Sequence, residues 1–582
     1  MSLSRREFLH MLGMASAGGL LSNKLYASDQ SMYDIGSTGD VRIMHITDVH
    51  GQLSPVYFRE PNVNLGLGAA NGRPPHIVGE ELLKFYGIAP NTPEAHAFSY
   101  LDFDAAAQKY GKVGGYAHLA TLVKQLRAEA GDGNSLLLDG GDSWQGHATN
   151  LWTNGQDMMD AMDLLGVDIM TAHWEATYGE ERMRELLNGS NVEFVAQNII
   201  VDEVAMFDGA EAYDEDTGHA FKPYTIKERG GKRIAVVGQA FPYTPIANPQ
   251  RFIPNWSYGI RHDALQELVD DIRANEQVDA VILLSHNGMD VDIKLAEVVS
   301  GIDAIMGGHT HDGMPAPIIV ENAGGKTLVT NGGSNGKFVG VLDLKFSGNK
   351  VSGYEYRLLP VFANMLDADA EMQAHIDAVR APFADKLGEV LCRTDALLYR
   401  RGNFNGTWDQ VICDAMVDVL DAQIALSPGF RWGPSSLAGS EITMEDLMGQ
   451  TAMTYPETYV QEMTGETIKV ILEDVADNLF HEDPFYQQGG DMVRTSGMSY
   501  RIDPTQTMGK RIDDMRLSDG SLIEADKTYK VSGWATVGSV SPGAPIWDVA
   551  AEYLRAKDTL TMGKPDTPEM VGVDGNPGVV EL

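Results

Sequence analysis

Five short segments that set histidine or carboxylate donors beside glycine or tryptophan constrain this chain more than anything else in it. They are DVHG from Asp48, GGDSWQG with Asp142, HWE from His173, SHNG with His286, and GGHTH with His309 and His311. Asp48, His50, Asp142, His173, His286, His309 and His311 together offer seven nitrogen or oxygen donors and no thiolate. Imidazole and carboxylate in one set suit divalent ions of borderline-hard character, so manganese, zinc, iron and cobalt all remain open. A lone histidine is ordinarily a satisfied surface or core residue, but here that explanation would have to hold several times over. The set predicts a centre for two metal ions, with Asp142, a two-oxygen carboxylate in a glycine-rich loop, as the candidate bridge. Two ions about 3.5–4 Å apart acidify a shared water and clamp an attacked tetrahedral anion, so the expected chemistry is hydrolysis.

Most of these segments follow apolar runs of β type. Strands are expected over 41–46, 135–138, 233–238, 280–284 and 304–306, and helices over 116–130 and 265–275. In the first helix Leu119, Leu122, Val123 and Leu126 recur at amphipathic spacing. Alternating strands and helices predict an α/β fold with the donors in loops beyond the strands' carboxyl ends. With 582 residues the chain exceeds what one core organises, so two domains are expected. The first spans 40–362 and carries a Pro, Gly and Asn-rich insertion over 52–110, with helical signal at 80–86. A linker helix follows over 363–387. The second domain, 388–582, has helices over 409–420 and 464–479, strands over 499–502 and 528–532, and an irregular Gly/Pro-rich end.

The net charge of −38 argues against nucleic acid and anionic membranes as partners. An anionic substrate would need a pocket made positive by metals and a few arginines. Ser4-Arg5-Arg6-Glu7-Phe8-Leu9, a mild apolar stretch and small residues near Ala27 read as a twin-arginine signal over 1–28. The mature protein is therefore expected in the periplasm, with no membrane insertion, as a monomer. Two cysteines, Cys392 and Cys413, exclude a disulfide framework, and Cys413 reads as a buried inert thiol.

The ligand blocks resemble those of the calcineurin-like metallophosphoesterases, and specifically the 5′-nucleotidase family with its added C-terminal domain. That resemblance implies a four-layer αββα N-terminal domain followed by a C-terminal α/β substrate-binding domain. It also implies that Asp48, His50, Asp142 and His311 surround one metal and Asp142, His173, His286 and His309 the other. Weaker similarities continue at 404–416, at the SPGFRWG segment ending at Gly433, and at 489–500. One block departs. Where the nucleotidases carry GNHEFD, this chain has Ala172-His173-Trp174-Glu175-Ala176-Thr177. The ligand Asn has become His173, the catalytic-dyad His has become Trp174, and its Asp partner has become Thr177. Tryptophan cannot protonate a leaving alkoxide, so a phosphomonoesterase would lack that assistance.

PVYFREPNVNLG, KYGKVGGYAHLATLVKQLRAE, DGGDSWQG, HWEATYG and SPGFRWG resemble the SoxB thiosulfohydrolase family of bacterial sulfur oxidation, over nearly the whole chain. The resemblance implies a periplasmic hydrolase with two Mn(II) ions. Its expected reaction removes the terminal sulfonate of a cysteine S-thiosulfonate on the carrier protein SoxYZ as sulfate, using hydroxide activated by the two ions. A sulfonate is tetrahedral and anionic like phosphate, and a persulfide leaving group is a weak base that needs no general acid. Arg431 is the candidate cation for the transition state, with Arg400 and Arg401 as further substrate-binding candidates. Tyr178 is a candidate hydrogen-bonding residue and Trp174 a pocket wall. The insertion and the 485–495 loop are the expected sides of a channel for the carrier arm. The alternative is a periplasmic 5′-nucleotidase or other phosphoesterase.

Overall fold

The computed structural model describes residues 32–580; the expected signal at 1–28 lies outside them. Two six-stranded sheets form the N-terminal domain. The first runs, in spatial order, Lys350–Pro360, Phe338–Ser347, Val41–Ile46, Ser135–Asp139, Ile169–Met170, Glu193–Phe194. The second runs Ile318–Asn322, Gly325–Asn331, Ala304–Gly307, Ala280–Ser285, Lys232–Gln239, Tyr224–Arg229. The first is parallel from Val41–Ile46 out to Glu193–Phe194 with an antiparallel hairpin at its other edge, and the second has a parallel centre with an antiparallel hairpin at each edge.

The layer order follows from the two-residue period of a strand. Ile234, Val236, Ala280, Ile282 and Leu284 join one core with Ile43, Leu138 and Val339 of the first sheet. Their neighbours Ala235, Val237, Val281 and Leu283 join another with Leu265, Val269 and Ile272 of helix His262–Asn275. The centre of the second sheet is thus buried on both faces, which is why its central strands carry continuous apolar runs. Leu119, Leu122, Val123 and Leu126 of helix Tyr116–Ala130 pack into the first sheet's core, giving helix–sheet–sheet–helix layers. Each such fully buried side chain contributes about 1.5–3 kcal/mol of transfer free energy.

The insertion folds as three short helices, Gly79–Tyr86, Pro93–Phe98 and Phe103–Tyr110. A buried ion pair between Lys337 and Glu60, with Lys337 Nζ donating to the Ala97 carbonyl at 2.8 Å, holds it to the domain. The single linker helix expected over 363–387 is divided. Helix Ala370–Arg380 gives way to a 3₁₀ turn at Ala381–Phe383 before Ala384–Leu387, because Pro382 cannot continue the α-helical hydrogen bonding. Beyond it, strands Thr458–Thr464, Thr528–Trp534, Ile424–Ser427 and Arg494–Ser496 form the main C-terminal sheet. Helix Thr407–Val419 buries Cys413, whose thiol is pushed up by burial and so stays un-ionised and inert. Among the described residues no helix is long and apolar enough to cross a membrane.

Candidate metal centre

The seven expected ligands converge where strands of both sheets end. Asp48 and His50 follow Val41–Ile46, Asp142 follows Ser135–Asp139, and His173 follows Ile169–Met170. His286 follows Ala280–Ser285, and His309 and His311 follow Ala304–Gly307. Asp142, His173, His286 and His309 form one group and Asp48, His50, Asp142 and His311 a second; within each, the donor atoms lie within 4.8 Å of one another. Asp142 belongs to both. All seven are buried.

The backbone is bent to reach this arrangement. Asp48, His50, Asp142, His309 and His311 all have φ between 53° and 72°, the left-handed region that costs a residue with a Cβ about a kcal/mol or more. Gly308 permits the crowding: a Cβ there would stand 2.4 Å from Thr47 Oγ1 and 2.9 Å from Asp48 Oδ2.

The donor atoms are arranged for cations. His286 Nδ1 donates to the Gly140 carbonyl at 2.6 Å, which turns the Nε2 lone pair toward Asp142 Oδ2 at 3.0 Å and Asp48 Oδ1 at 3.6 Å. Burial pulls the His286 imidazolium down, yet the Asp142 and Asp48 carboxylates push it up to about 10. Something positive has to stand between ring and carboxylates, and a divalent ion serves better than a proton. His50 Nδ1 likewise donates to the Gln145 carbonyl at 2.9 Å, leaving Nε2 to face His311 Nε2 at 3.0 Å. His173 Nδ1 lies 3.1 Å from Asp142 Oδ2, and His173 Nε2 and His311 Nδ1 are buried without partners. Donor set, burial and orphaned nitrogens fit a divalent metal pair.

Outer groups hold the ligands. Thr47 Oγ1 donates to Asp48 Oδ2 at 2.6 Å, and Trp174 N donates to Asp142 Oδ1 at 2.8 Å. Glu175 accepts from the backbone of His173 at 2.7 Å and Ser143 at 2.8 Å, clamping two ligand loops together. It lies inside the HWE segment, although ligand patterning alone assigned it no part. Phe241 stacks on His309 at 4.1 Å and also touches His173. Its signal was its place just past strand Lys232–Gln239, at the same sheet edge as the donors.

The C-terminal domain reaches this centre. Trp432 stacks on His50 at 5.1 Å, and the Arg431 guanidinium donates to the His309 carbonyl at 2.5 Å. Arg401 donates to the Thr310 and His311 carbonyls at 3.0 and 3.3 Å. Arg431 Nε and Arg401 Nε are buried without partners. Arg400 makes its contacts inside the C-terminal domain, to Asp409 Oδ1 at 2.9 Å and the Gln450 carbonyl at 2.6 Å. Trp174 is buried between His173, Phe430, Trp432 and Tyr455 as a wall. The Tyr178 hydroxyl is engaged with Asn150 Oδ1 at 2.6 Å. Both expected channel sides flank the centre: the 485–495 loop touches His309, and the insertion's Asn64 lies 3.4 Å from Asp312.

Known proteins carry the same frame. The calcineurin-like phosphoesterase family model matches residues 41–313, and that of the 5′-nucleotidase C-terminal domain matches 398–543. An apyrase of Tabanus yao is 31% identical, over 78% of this chain and 87% of its own. The trifunctional nucleotide phosphoesterase YfkN of Bacillus subtilis is 24% identical over 76% of this chain, which spans 32% of that protein's length. The solved Thermus thermophilus sulfate thiohydrolase SoxB, in complex with glycerol, is 36% identical, with a TM-score of 0.86 over 93% of this chain and 98% of that one. The chain is a hydrolase of the metallophosphoesterase superfamily and belongs to its SoxB family, within the 5′-nucleotidase branch.

Proposed function

We propose that this protein is a periplasmic thiosulfohydrolase that removes the terminal sulfonate from a cysteine S-thiosulfonate on a carrier protein of the SoxYZ kind. Water supplies an oxygen to sulfur, the sulfur–sulfur bond breaks, and sulfate, a carrier-bound persulfide and two protons result, with no external oxidant or reductant. The observation that carries this reading is Trp174. The position where a phosphomonoesterase of this branch keeps its protonating histidine is filled by a buried indole packed on His173, and the hydroxyl of Thr177 is engaged with Thr454. A persulfide leaves without a general acid; a nucleoside alkoxide does not leave readily. The likeness to a sulfate thiohydrolase over nearly all of both chains supports the same substrate class.

Two divalent ions, of which manganese is our choice, would supply the Lewis acidity that activates water and neutralises the anion. The chain's own groups do the rest. His50, His173, His286, His309 and His311 with Asp48 and Asp142 would hold the ions, and Thr47 and Glu175 keep those ligands aimed. Arg431 and Arg401, each with an unpartnered Nε, would take sulfonate oxygens as charge builds. Trp174, Phe430 and Trp432 exclude water from the persulfide side. Arg400 is retained as a more distant contributor to the positive field.

A nucleotide phosphoesterase is the second reading, favoured by the names of the apyrase and YfkN relatives. The manganese-loaded protein should release sulfate from a cysteine S-thiosulfonate carrier peptide and little phosphate from AMP. Phosphate without sulfate would overturn the proposal.

A further inference from the structure

The ligand histidines differ in where their second ring nitrogen is anchored. His50 and His286 donate to the Gln145 and Gly140 carbonyls, both in the N-terminal domain. His309 alone is anchored by the other domain: its Nε2 lies 3.2 Å from the Gln488 carbonyl, on the loop between Tyr486 and Arg494. That bond requires the proton on Nε2 and leaves the Nδ1 lone pair for an ion; the opposite tautomer would present N–H to the cation. Gly489 fits against the ring so closely that a Cβ there would lie 2.2 Å from His309 Nε2. The other side of the same residue is held by the C-terminal domain as well, through Arg431 and the His309 carbonyl.

We infer that the C-terminal domain completes one of the two metal sites. Gln488, Gly489 and Arg431 are positioning residues that set the tautomer and aim of His309. The ion held by Asp142, His173, His286 and His309 is therefore retained only while the domains are docked as here. The ion held by Asp48, His50, Asp142 and His311 does not depend on a ring bond from that domain. One consequence is an ordered loading in which the ion at the His309 site enters last and leaves first. The inference rests on the metal pair and not on the identity of the substrate.

The test counts ions, with no substrate present. Purified parent, Gly489→Ala and Gly490→Ala proteins are loaded with Mn(II), dialysed against metal-free buffer, assayed for manganese per chain, and titrated by calorimetry. Gly489 and Gly490 have similar positive φ, 70° and 83°, so an alanine strains both alike, but only at 489 does its Cβ meet His309. The parent and Gly490→Ala should retain two ions. Gly489→Ala should retain one, with the other weakened about 10- to 100-fold, the usual effect of losing an outer-sphere partner. The retained ion reports that the variant is folded. Two ions at parental affinity in Gly489→Ala, equal loss in both variants, or loss of both ions would overturn the inference. A parent that binds fewer than two ions would instead sink the metal pair on which it rests.

Discussion

His50 and His311 point their Nε2 atoms at each other across 3.0 Å in the buried centre, and His50 cannot turn away because its Nδ1 is held by the Gln145 carbonyl. Such a pair is stable when a cation takes the facing lone pairs. Chelation should therefore cost stability as well as activity. An ion present at a hundred times its dissociation constant adds about 2.7 kcal/mol. Removing the metals should lower the melting temperature by on the order of 5–10 °C, reversibly on adding manganese. Calorimetric melts with and without chelator check this; superimposable melts would contradict it.

Glu175 ties the Asp142 loop to the His173 loop by accepting from the buried His173 and Ser143 backbone N–H groups. Glu175→Ala orphans those buried donors, at about 1–3 kcal/mol each, whereas Glu175→Gln retains one acceptor oxygen. In urea denaturation the alanine variant should be the less stable of the two, and both should bind metal more weakly than the parent. Equal stability of Glu175→Ala and parent would show that the clamp is idle.

Arg400 and Arg431 should fail differently. Arg400 is paired with Asp409, and both are fully buried. Arg400→Ala would leave that carboxylate with Arg494 at 3.4 Å as its remaining cation and the Gly406 N–H at 2.9 Å, and should destabilise the C-terminal domain by about 3–5 kcal/mol. Arg431→Lys keeps a charge but loses the guanidinium fork, so it should lower kcat about 10- to 100-fold while costing much less stability than Arg400→Ala. Parallel melts and rates separate the two outcomes.

The insertion carries its own pH dependence. Burial pulls His76 down, but Asp290, whose Oδ2 lies 2.7 Å from Nε2, raises it above the usual histidine value. A raised folded-state pKa means stabilisation that is full below the unfolded value of about 6.5 and lost as pH rises through the folded value. Amide exchange in residues 64–78, after division by the base-catalysed intrinsic rate, should therefore accelerate as the solution passes from neutral to alkaline. His76→Phe should abolish that acceleration, and a flat profile in the parent would refute the pairing.

If Trp174 is what separates this site from a phosphomonoesterase, restoring the titratable pair should move it back. Trp174→His with Thr177→Asp should raise phosphate release from AMP, by up to the roughly 100-fold that a modestly placed general acid supplies. Sulfate release from the carrier peptide should not gain. No phosphate above parent from a folded, two-metal variant would place the discrimination elsewhere.

Ligand identity was readable from residue types alone, because imidazole and carboxylate beside glycine after apolar runs have few other uses. The same holds for the strands at 41–46 and 280–284, which read as short apolar runs, and the helix at 116–130, whose 3.6-residue period is a local property. Pro382 was equally visible, yet the polar helical spacing on both sides concealed the break it makes. Partnership across the fold was not legible. Arg400, Arg401 and Arg431 look alike in one dimension, but Arg400 lies in a C-terminal ion pair while the other two brace the GGHTH loop. Nothing in the local pattern of Gln488-Gly489 marks it as the anchor of a histidine 179 positions earlier. Donor chemistry is a property of single residues and survives in the sequence. Orientation and tautomer depend on which distant carbonyl arrives opposite each ring, and only packing the two domains together decides that.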